Sequence, residues 1–179
     1  MGAAARRALG SESRFGCERD GVRVGAEALS QLFVEAFARF NAAVAEVNAD
    51  SSTAPDPETG EQWDLAHLLG HVSEMLEYWL VEVLRVLAHG PDEPFGRLKR
   101  SPERLIRIDQ SSRLTVPELR QEIDLRAAAS IDLCRILTPA QLNKRGDHPK
   151  RGSMTVEAII TEFGIEHLKE HAAQLQSLR

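Results

Sequence analysis

Apolar residues recur at three- and four-residue steps in four separate stretches of this chain. The first stretch runs from about Ala26 to Val47, and the second runs from about Asp64 to Ala88. The third begins at Thr115 and ends at Thr138-Pro139, and the fourth begins at Ser153 or Thr155. Because this spacing places one apolar stripe along each segment, it predicts four amphipathic α-helices.

Polar residues mark where the predicted helices begin. Asp64 is a favourable N-cap for the second helix. Thr115-Val116-Pro117-Glu118 has the pattern of a capping box, with proline in the first turn of the third helix. Between these helices, Ser101-Pro102-Glu103 predicts one short helix within a long connection. No stretch alternates between apolar and polar residues, so we expect no β-strand.

Four helices of this kind predict an all-α protein with the architecture of a four-helix bundle. The connection between the second and third helices, residues 90–114, could reach about 80 Å at roughly 3.3 Å per residue. The sequence therefore permits a long crossover between parallel second and third helices, in an up-down-down-up order. Residues 1–24 have poor periodicity and are expected to form a mobile leader, which leaves residues 25–179 as the bundle domain.

Charge and composition exclude several classes of function. The net charge is −5 and no basic stripe is present, so we expect no nucleic-acid partner. No apolar run reaches the roughly 18 residues that span a bilayer, and no signal peptide is evident, so we expect a cytoplasmic protein without a membrane partner. Cys17 and Cys134 are far apart, and Cys134 lies on an apolar helical face, which favours a buried free thiol.

The candidate chemistry comes from four histidines on two of the predicted helices. His167 and His171 are four residues apart, so both imidazoles lie on one helix face and can bind a single metal ion. His67 and His71 share that spacing on the second helix, and periodicity alone does not choose between them as a further ligand. The chain has no His-Glu-x-x-His motif, which excludes a zinc-protease site. A di-iron site needs Glu-x-x-His on two helices, and the chain offers only Asp64-x-x-His67, once.

The segments around these histidines resemble two motifs of the DinB-like bundles, a superfamily that includes the mycothiol-dependent maleylpyruvate isomerases and related thiol-transferase-like proteins. Trp63 begins a helix, a hydrophobic turn follows, and His71 stands at the spacing of the family's metal-binding histidine. His167-Leu168-Lys169-Glu170-His171-Ala172-Ala173-Gln174-Leu175 is similar to the family's second motif, His-x-x-x-His with a short Gln-containing apolar tail. The resemblance covers roughly residues 26–179. It implies His71, His167 and His171 as a three-histidine site for Zn or Ni, and it gives His67 no role.

A site of this composition suits catalysis better than a purely structural role. Three neutral imidazoles leave a fourth tetrahedral position open, where water could be acidified or a thiolate could bind. The free N–H groups of the ligating rings need hydrogen-bond acceptors, and Glu74 and Gln174 are candidates because they lie near His71 and His171.

Three functions remain open from the sequence. The first is a metal-dependent thiol S-transferase or hydrolase that acts on a small-molecule substrate, with a low-molecular-weight thiol as the candidate cofactor; the resemblance implies this chemistry. The second is a non-catalytic protein in which the metal links the second and fourth helices. The third is a metal-free interaction module, and we expect a homodimer.

Several other residues are expected to have ordinary roles. His89 and His148 lie in predicted loops and are expected to be surface or hydrogen-bonded residues. Trp63 and Trp79 are expected to pack. The basic loop 139–152, with Lys144, Arg145, Lys150 and Arg151, is expected to be solvated, although at the rim of a site it could attract the carboxylates of a small thiol or acidic substrate.

Overall fold

The computed structural model describes residues 25–48, 51–56, 58, 60, 62–92 and 94–176, so the expected leader at residues 1–24 and Cys17 lie outside the described part. The first five α-helices are α1 (Ala26–Glu46), α2 (Leu65–His89), α3 (Pro102–Ser111), α4 (Val116–Ile136) and α5 (Pro139–Leu142), and a short 3-10 helix (Gly90–Asp92) follows α2. Strands β1 (Arg145–His148) and β2 (Gly152–Thr155) follow. The chain then continues through α6 (Val156–Ile159), a π-helical segment (Ile160–Glu166) and α7 (His167–Gln176), which together form the C-terminal helix.

The helices begin at the polar residues that the sequence indicates. The side chain of Asp64 accepts a hydrogen bond from the backbone N–H of His67 at 2.8 Å. Thr115 and Glu118 form a complete capping box at the start of α4. Thr155, rather than Ser153, caps the C-terminal helix, because its hydroxyl accepts the N–H of Ala158.

Four long helices enclose one hydrophobic core, and the all-α bundle is confirmed. α2 packs against α3 and α4, while α1 packs against α4 and α7. Cys134 is buried and free, as expected. Among the described residues, no helix has both the length and the apolar character needed to cross a membrane. Fully buried side chains from all four long helices form the centre of the core: Leu29, Phe40, Leu68, Leu69, Met75, Leu119, Ile123, Ile159, Leu168 and Leu175.

Polar contacts between α2 and α4 give the relative direction of these helices. The Ser73 hydroxyl donates to Glu122 at 2.9 Å, and Arg126 pairs with Glu77 at 3.2 Å. Both members of the second pair lie four residues after those of the first, so α2 and α4 run in the same direction. The long connection that contains α3 makes this possible.

Ring contacts give the direction of the C-terminal helix. His71 meets His171 near the start of α2, and Trp79 meets Phe163 two turns later. From the first contact to the second, the residue number increases along α2 and decreases along the C-terminal helix, so these two helices are antiparallel. The place of α1 in the up-down-down-up order stays a prediction.

A β-hairpin between α5 and the C-terminal helix contradicts the expectation of no strand. β1 and β2 pair antiparallel, with Gly146 opposite Met154. The buried positions of β1 are Gly146 and His148, and neither is a large apolar residue. The strand alternation is therefore present in the burial of the side chains but invisible in the hydrophobic pattern of the sequence.

Candidate metal centre

Imidazoles from α2 and α7 converge on one point. The Nε2 atoms of His71 and His167 lie 3.3 Å apart, and one ring nitrogen from each of His71, His167 and His171 lies within 4.8 Å of the other two. Two nitrogen ligands of a tetrahedral zinc, each about 2.0–2.1 Å from the ion, are roughly 3.3–3.4 Å apart. The structure thus brings together the three histidines that the sequence selects, with a spacing that fits a shared cation.

The three rings are held in the neutral form, which is the form that binds metals. Burial, reinforced by the neighbouring His171 and Arg104, lowers the pKa of His167 to about 3. Burial also lowers the pKa of His171 to about 4, although its hydrogen bond to Gln174 acts in the opposite direction. The pKa of His71 lies well below its usual value, mainly because of burial and then because of the two other histidines.

A hydrogen bond to Gln174 fixes the orientation and tautomer of His171. The Nδ1–H of His171 donates to Oε1 of Gln174 at 2.9 Å, which is the contact expected for this glutamine. With the proton on Nδ1, Nε2 carries a lone pair, and within the described part of the chain this buried atom has no hydrogen-bond partner. A cation would satisfy it, so the donor set fits a divalent metal.

Glu74 does not support His71, and that expectation was wrong. Its Oε2 accepts a hydrogen bond from Arg97 at 2.5 Å, and the guanidinium of Arg97 lies 3.8 Å from the centre of the Tyr78 ring. In the described structure, neither Oε1 of Glu74 nor Nδ1 of His71 has a hydrogen-bond partner. Glu74 is 2% exposed, and a carboxylate buried to this extent requires a cationic partner, which a neutral imidazole cannot provide.

His67 lies outside the cluster. Its Nδ1 is 2.8 Å from Oδ1 of Asp64, and its side chain is 40% exposed. Oδ1 of Asp64 therefore contacts both the ring and the backbone N–H of His67 at the start of α2. His71, and not His67, lies in the cluster with His167 and His171, and its role as a metal ligand stays a prediction.

A π-helical segment directly precedes His167. The sequence did not indicate it, because Ile160–Glu166 keeps an ordinary amphipathic pattern. Gly164 lies in this segment, and a Cβ at this position would lie 2.9 Å from Cε2 of Phe33. α1 therefore approaches the C-terminal helix very closely one turn before the histidine pair. π-Helical insertions are often found at functional sites.

The three histidines line an open cleft of about 990 Å³. This volume is within the range of small-molecule sites. His71 and His171 are buried, while His167 keeps partial exposure. Cationic side chains outnumber acidic ones along the walls of the cleft. The cationic residues are Arg97, Lys99, Arg100, Arg104, Lys150 and Arg151, and the acidic residues are Asp56, Glu58, Glu162 and Glu170.

Both tryptophans pack, as expected, and both also line the cleft. The Trp63 ring lies 5.0 Å from the His71 ring, centre to centre, and the Arg104 guanidinium lies 5.5 Å from the centre of the Trp63 ring. Trp79 stacks on Phe163 at 3.9 Å with an interplanar angle of 5°. The walls next to the histidine cluster are therefore aromatic as well as cationic.

Solved structures of known proteins share this fold. YfiT from Bacillus subtilis, described as a probable metal-dependent hydrolase with an unusual four-helix bundle topology, is 17% identical with a TM-score of 0.64, over 95% of this chain and 91% of that chain. A mycothiol-dependent maleylpyruvate isomerase is 17% identical with a TM-score of 0.63, over 84% of this chain and 60% of that chain. Likeness at this identity shows the fold alone.

A third similar structure concerns the expectation of no nucleic-acid partner. The colibactin self-resistance protein ClbS, solved in complex with a dsDNA, is 16% identical with a TM-score of 0.66, over 88% of this chain and 97% of that chain. The DNA belongs to that protein's structure, and for the present chain the absence of a nucleic-acid partner stays a prediction.

Sequence comparison gives the family directly. No protein with a curated description matches this chain. The family model of the DinB superfamily matches residues 25–175, a range that includes both helices of the histidine cluster and most of the bundle. This chain belongs to the DinB superfamily.

Proposed function

We propose that this protein is a divalent-metal-dependent enzyme acting on a small molecule, with His71, His167 and His171 holding the ion. The main support is the convergence of three neutral imidazoles, from two helices, beside an open cleft. Zinc and nickel are the ions we propose, because imidazole nitrogen suits both. Three protein ligands also leave a coordination position for substrate.

The bound ion would supply a Lewis acid that lowers the pKa of a water or thiol in the cleft. The chain's own residues prepare the site for this. Gln174 holds the His171 ring in one orientation, and the partial exposure of His167 leaves one side of the cluster accessible from the cleft. The surrounding cationic side chains raise the local concentration of acidic thiols or substrates.

The reaction we propose is thiol S-transfer or hydrolysis. The thiol alternative is supported by the fold shared with a mycothiol-dependent isomerase, and the hydrolytic alternative by the fold shared with YfiT. Both arguments are analogies of fold. A low-molecular-weight thiol is accordingly a proposed cofactor for the first reaction, and the cationic walls of the cleft favour a thiol that carries carboxylates.

Parallel assays with and without a chelator test this proposal. Thiol conjugation and ester or amide hydrolysis would be screened with zinc- and nickel-loaded protein. We expect activity in the wild type and in His67→Gln, whose ring lies outside the cluster, and none in His71→Gln or after chelation. Activity that survives both chelation and His71→Gln would refute the metal-dependent mechanism.

A non-catalytic role for the metal is the second candidate, because His71 lies on α2 while His167 and His171 lie on α7. An ion bound to all three would link these helices and stabilise the fold by about 2.7 kcal/mol at a hundredfold excess over its Kd. Metal binding with a matching gain in stability, but without turnover in either screen, would favour this role. The expected homodimer stays a prediction, which sedimentation measurements can test.

A further inference from the structure

His148 is a second buried histidine in the cleft, separate from the three-histidine cluster. It is 6% exposed. The sequence pattern placed it in a loop and predicted no special role for it. Its Nδ1 accepts hydrogen bonds from the backbone N–H groups of Lys150 at 3.1 Å and Arg151 at 3.2 Å. The turn of the β-hairpin therefore folds around this side chain.

These hydrogen bonds determine which nitrogen of His148 carries the proton. Because Nδ1 accepts two N–H groups, the proton of the neutral ring lies on Nε2, which becomes a donor. Nε2 is buried and has no hydrogen-bond partner within the described residues. A buried donor without a partner is destabilising, and few are found in native proteins. An acceptor atom from outside the chain would therefore satisfy this donor.

The ring cannot turn away to find another partner. It stacks on Phe163 at 5.4 Å and contacts Phe95 at 5.5 Å between ring centres. On another side, a Cβ added to Gly96 would lie 2.2 Å from Cδ2 of His148, so the backbone there is in close contact with the ring. Burial and the charge of Arg151 also lower the pKa of His148, which keeps the ring neutral.

We propose that Nε2–H of His148, together with the side chains of Lys150 and Arg151, forms a subsite for a carboxylate group in the cleft. All three residues line the cleft. Arg151 pairs with Glu162 at 2.6 Å, yet its side chain remains 53% exposed and available to a second anion. A charged acceptor is favoured over a neutral one because the exposed side chains of Lys150 and Arg151 line the same cleft as this donor, and charge-assisted hydrogen bonds are the stronger kind.

The position of this subsite suggests the shape of the substrate. His71, Met75 and Trp79 line the cleft on successive turns of α2, and the Trp79 ring lies 6.1 Å from the His148 ring. Eight residues of α-helix correspond to about 12 Å of rise. A molecule that reaches both ends is thus an elongated carboxylic acid with its reacting group at the far end. This last step rests on the proposed function, whereas the carboxylate subsite does not.

Binding of hexanoate to the metal-free full-length protein tests the subsite, with 1-hexanol as the uncharged control. NMR of ¹⁵N-labelled histidine would follow the Nε2–H resonance of His148. We expect hexanoate to shift this resonance and 1-hexanol to leave it unchanged. Hexanoate that fails to bind the wild type, with or without metal, would overturn the proposal.

Two isosteric variants separate a binding role from a structural one. His148→Asn keeps an acceptor near the Nδ1 position for the turn but lacks the donor, and we expect it to weaken hexanoate binding at least about tenfold. His148→Gln places an amide N–H near the Nε2 position and should restore part of the affinity. Equal affinity in the wild type and His148→Asn would refute the role of His148.

Surface variants keep the test decisive if the substitutions at His148 do not fold. Arg151→Gln should weaken hexanoate binding several-fold, whereas Lys169→Gln, which does not line the cleft, should leave it unchanged. Equal effects of both variants would contradict a local subsite.

A mercapto acid tests the link between the subsite and the proposed metal centre. In zinc-loaded protein, 6-mercaptohexanoate should bind more tightly than either hexanoate or 1-hexanethiol by calorimetry. If hexanoate binds but the thiol adds no affinity, the subsite stands and the proposed metal function fails. If metal and thiol bind but hexanoate does not, the subsite alone is wrong.

Discussion

The Nε2 atoms of His71 and His167 lie 3.3 Å apart, although 96 positions separate the two residues in the sequence. Nitrogen lone pairs this close repel each other unless a proton or a cation lies between them. The third ring favours the cation, because the hydrogen bond to Gln174 leaves Nε2 of His171 with a lone pair as well. The antiparallel contact between α2 and the C-terminal helix is what creates this arrangement.

Removing the hydrogen bond that His171 makes to Gln174 should weaken metal binding without removing a metal ligand. Gln174→Ala deletes the acceptor of the Nδ1–H, so the ring loses its fixed tautomer and orientation. We expect about a 10- to 100-fold loss of zinc affinity in competition with a chromophoric chelator. Gln174→Glu keeps an acceptor and should restore most of the affinity. Unchanged affinity in Gln174→Ala would show that this hydrogen bond does not tune the site.

The metal-free protein should lose stability as the pH falls below about 6.5. The folded-state pKa values of His167 and His171 are about 3 and about 4, below the unfolded value of about 6.5. Between these values the unfolded chain binds more protons than the native protein, so protons favour unfolding. We expect a loss on the order of 2 kcal/mol per ring between pH 7 and pH 5 in urea unfolding.

The double variant His167→Gln, His171→Gln provides the control for this pH dependence. It should flatten the change in unfolding free energy between pH 7 and pH 5. A metal-free wild type that is equally stable at both values would mean that these rings are not held neutral by the fold.

The hairpin that carries His148 should depend on close packing at Gly146. A Cβ at this position would lie 2.7 Å from Cγ2 of Val86 and 2.8 Å from Cδ1 of Phe95. Gly146→Ala should therefore destabilise the protein by about 1–3 kcal/mol through overpacking. Gly25→Ala, where nothing lies within 4 Å of the added Cβ, should cost less than about 1 kcal/mol. Similar unfolding free energies for the two variants would contradict the packing described here.

The ion pair between Arg97 and Glu74 should be important for stability. Arg97→Met would leave the carboxylate of Glu74, which is 2% exposed, without its cation, at a cost of about 3–5 kcal/mol. The double variant Arg97→Met, Glu74→Gln should recover part of this loss. Lys99→Met removes a more exposed pair with Asp56 and should cost under about 1 kcal/mol. Chemical denaturation would measure the unfolding free energies of the three variants. A loss in Arg97→Met no larger than that in Lys99→Met would contradict the importance of this ion pair.

Sequence patterns predicted the bundle because its long helices carry local information. The spacing of apolar residues, the Asp64 cap and the capping box at Thr115 act within one or two turns, so each can be recognised without tertiary structure. The candidate site could also be predicted from the sequence, since His167 and His171 share one helix face and the resemblance to DinB-like proteins selected His71. Family resemblance, rather than periodicity, made the choice between His67 and His71.

Features that depend on contacts between distant segments were missed. The role of Glu74 depends on Arg97, which reaches it from the connection before α3, and no local pattern indicates that contact. His148 is buried only because the hairpin places it against Phe95 and Phe163. The π-helical segment keeps the amphipathic pattern of an ordinary α-helix, so its sequence does not distinguish it. The close approach of Phe33 to Gly164 is visible only in three dimensions.

Elemental analysis of purified protein is the measurement that tests the central claim most directly. It would compare the wild type with His71→Ala, His167→Ala and His171→Ala after loading with zinc or nickel and removal of excess ion. His67→Ala is the matched control, because its ring lies on the same helix but outside the cluster. The account predicts one equivalent of metal in the wild type and His67→Ala, and little in the other three variants. Absence of metal from the loaded wild type, or its retention in His71→Ala, would contradict the account.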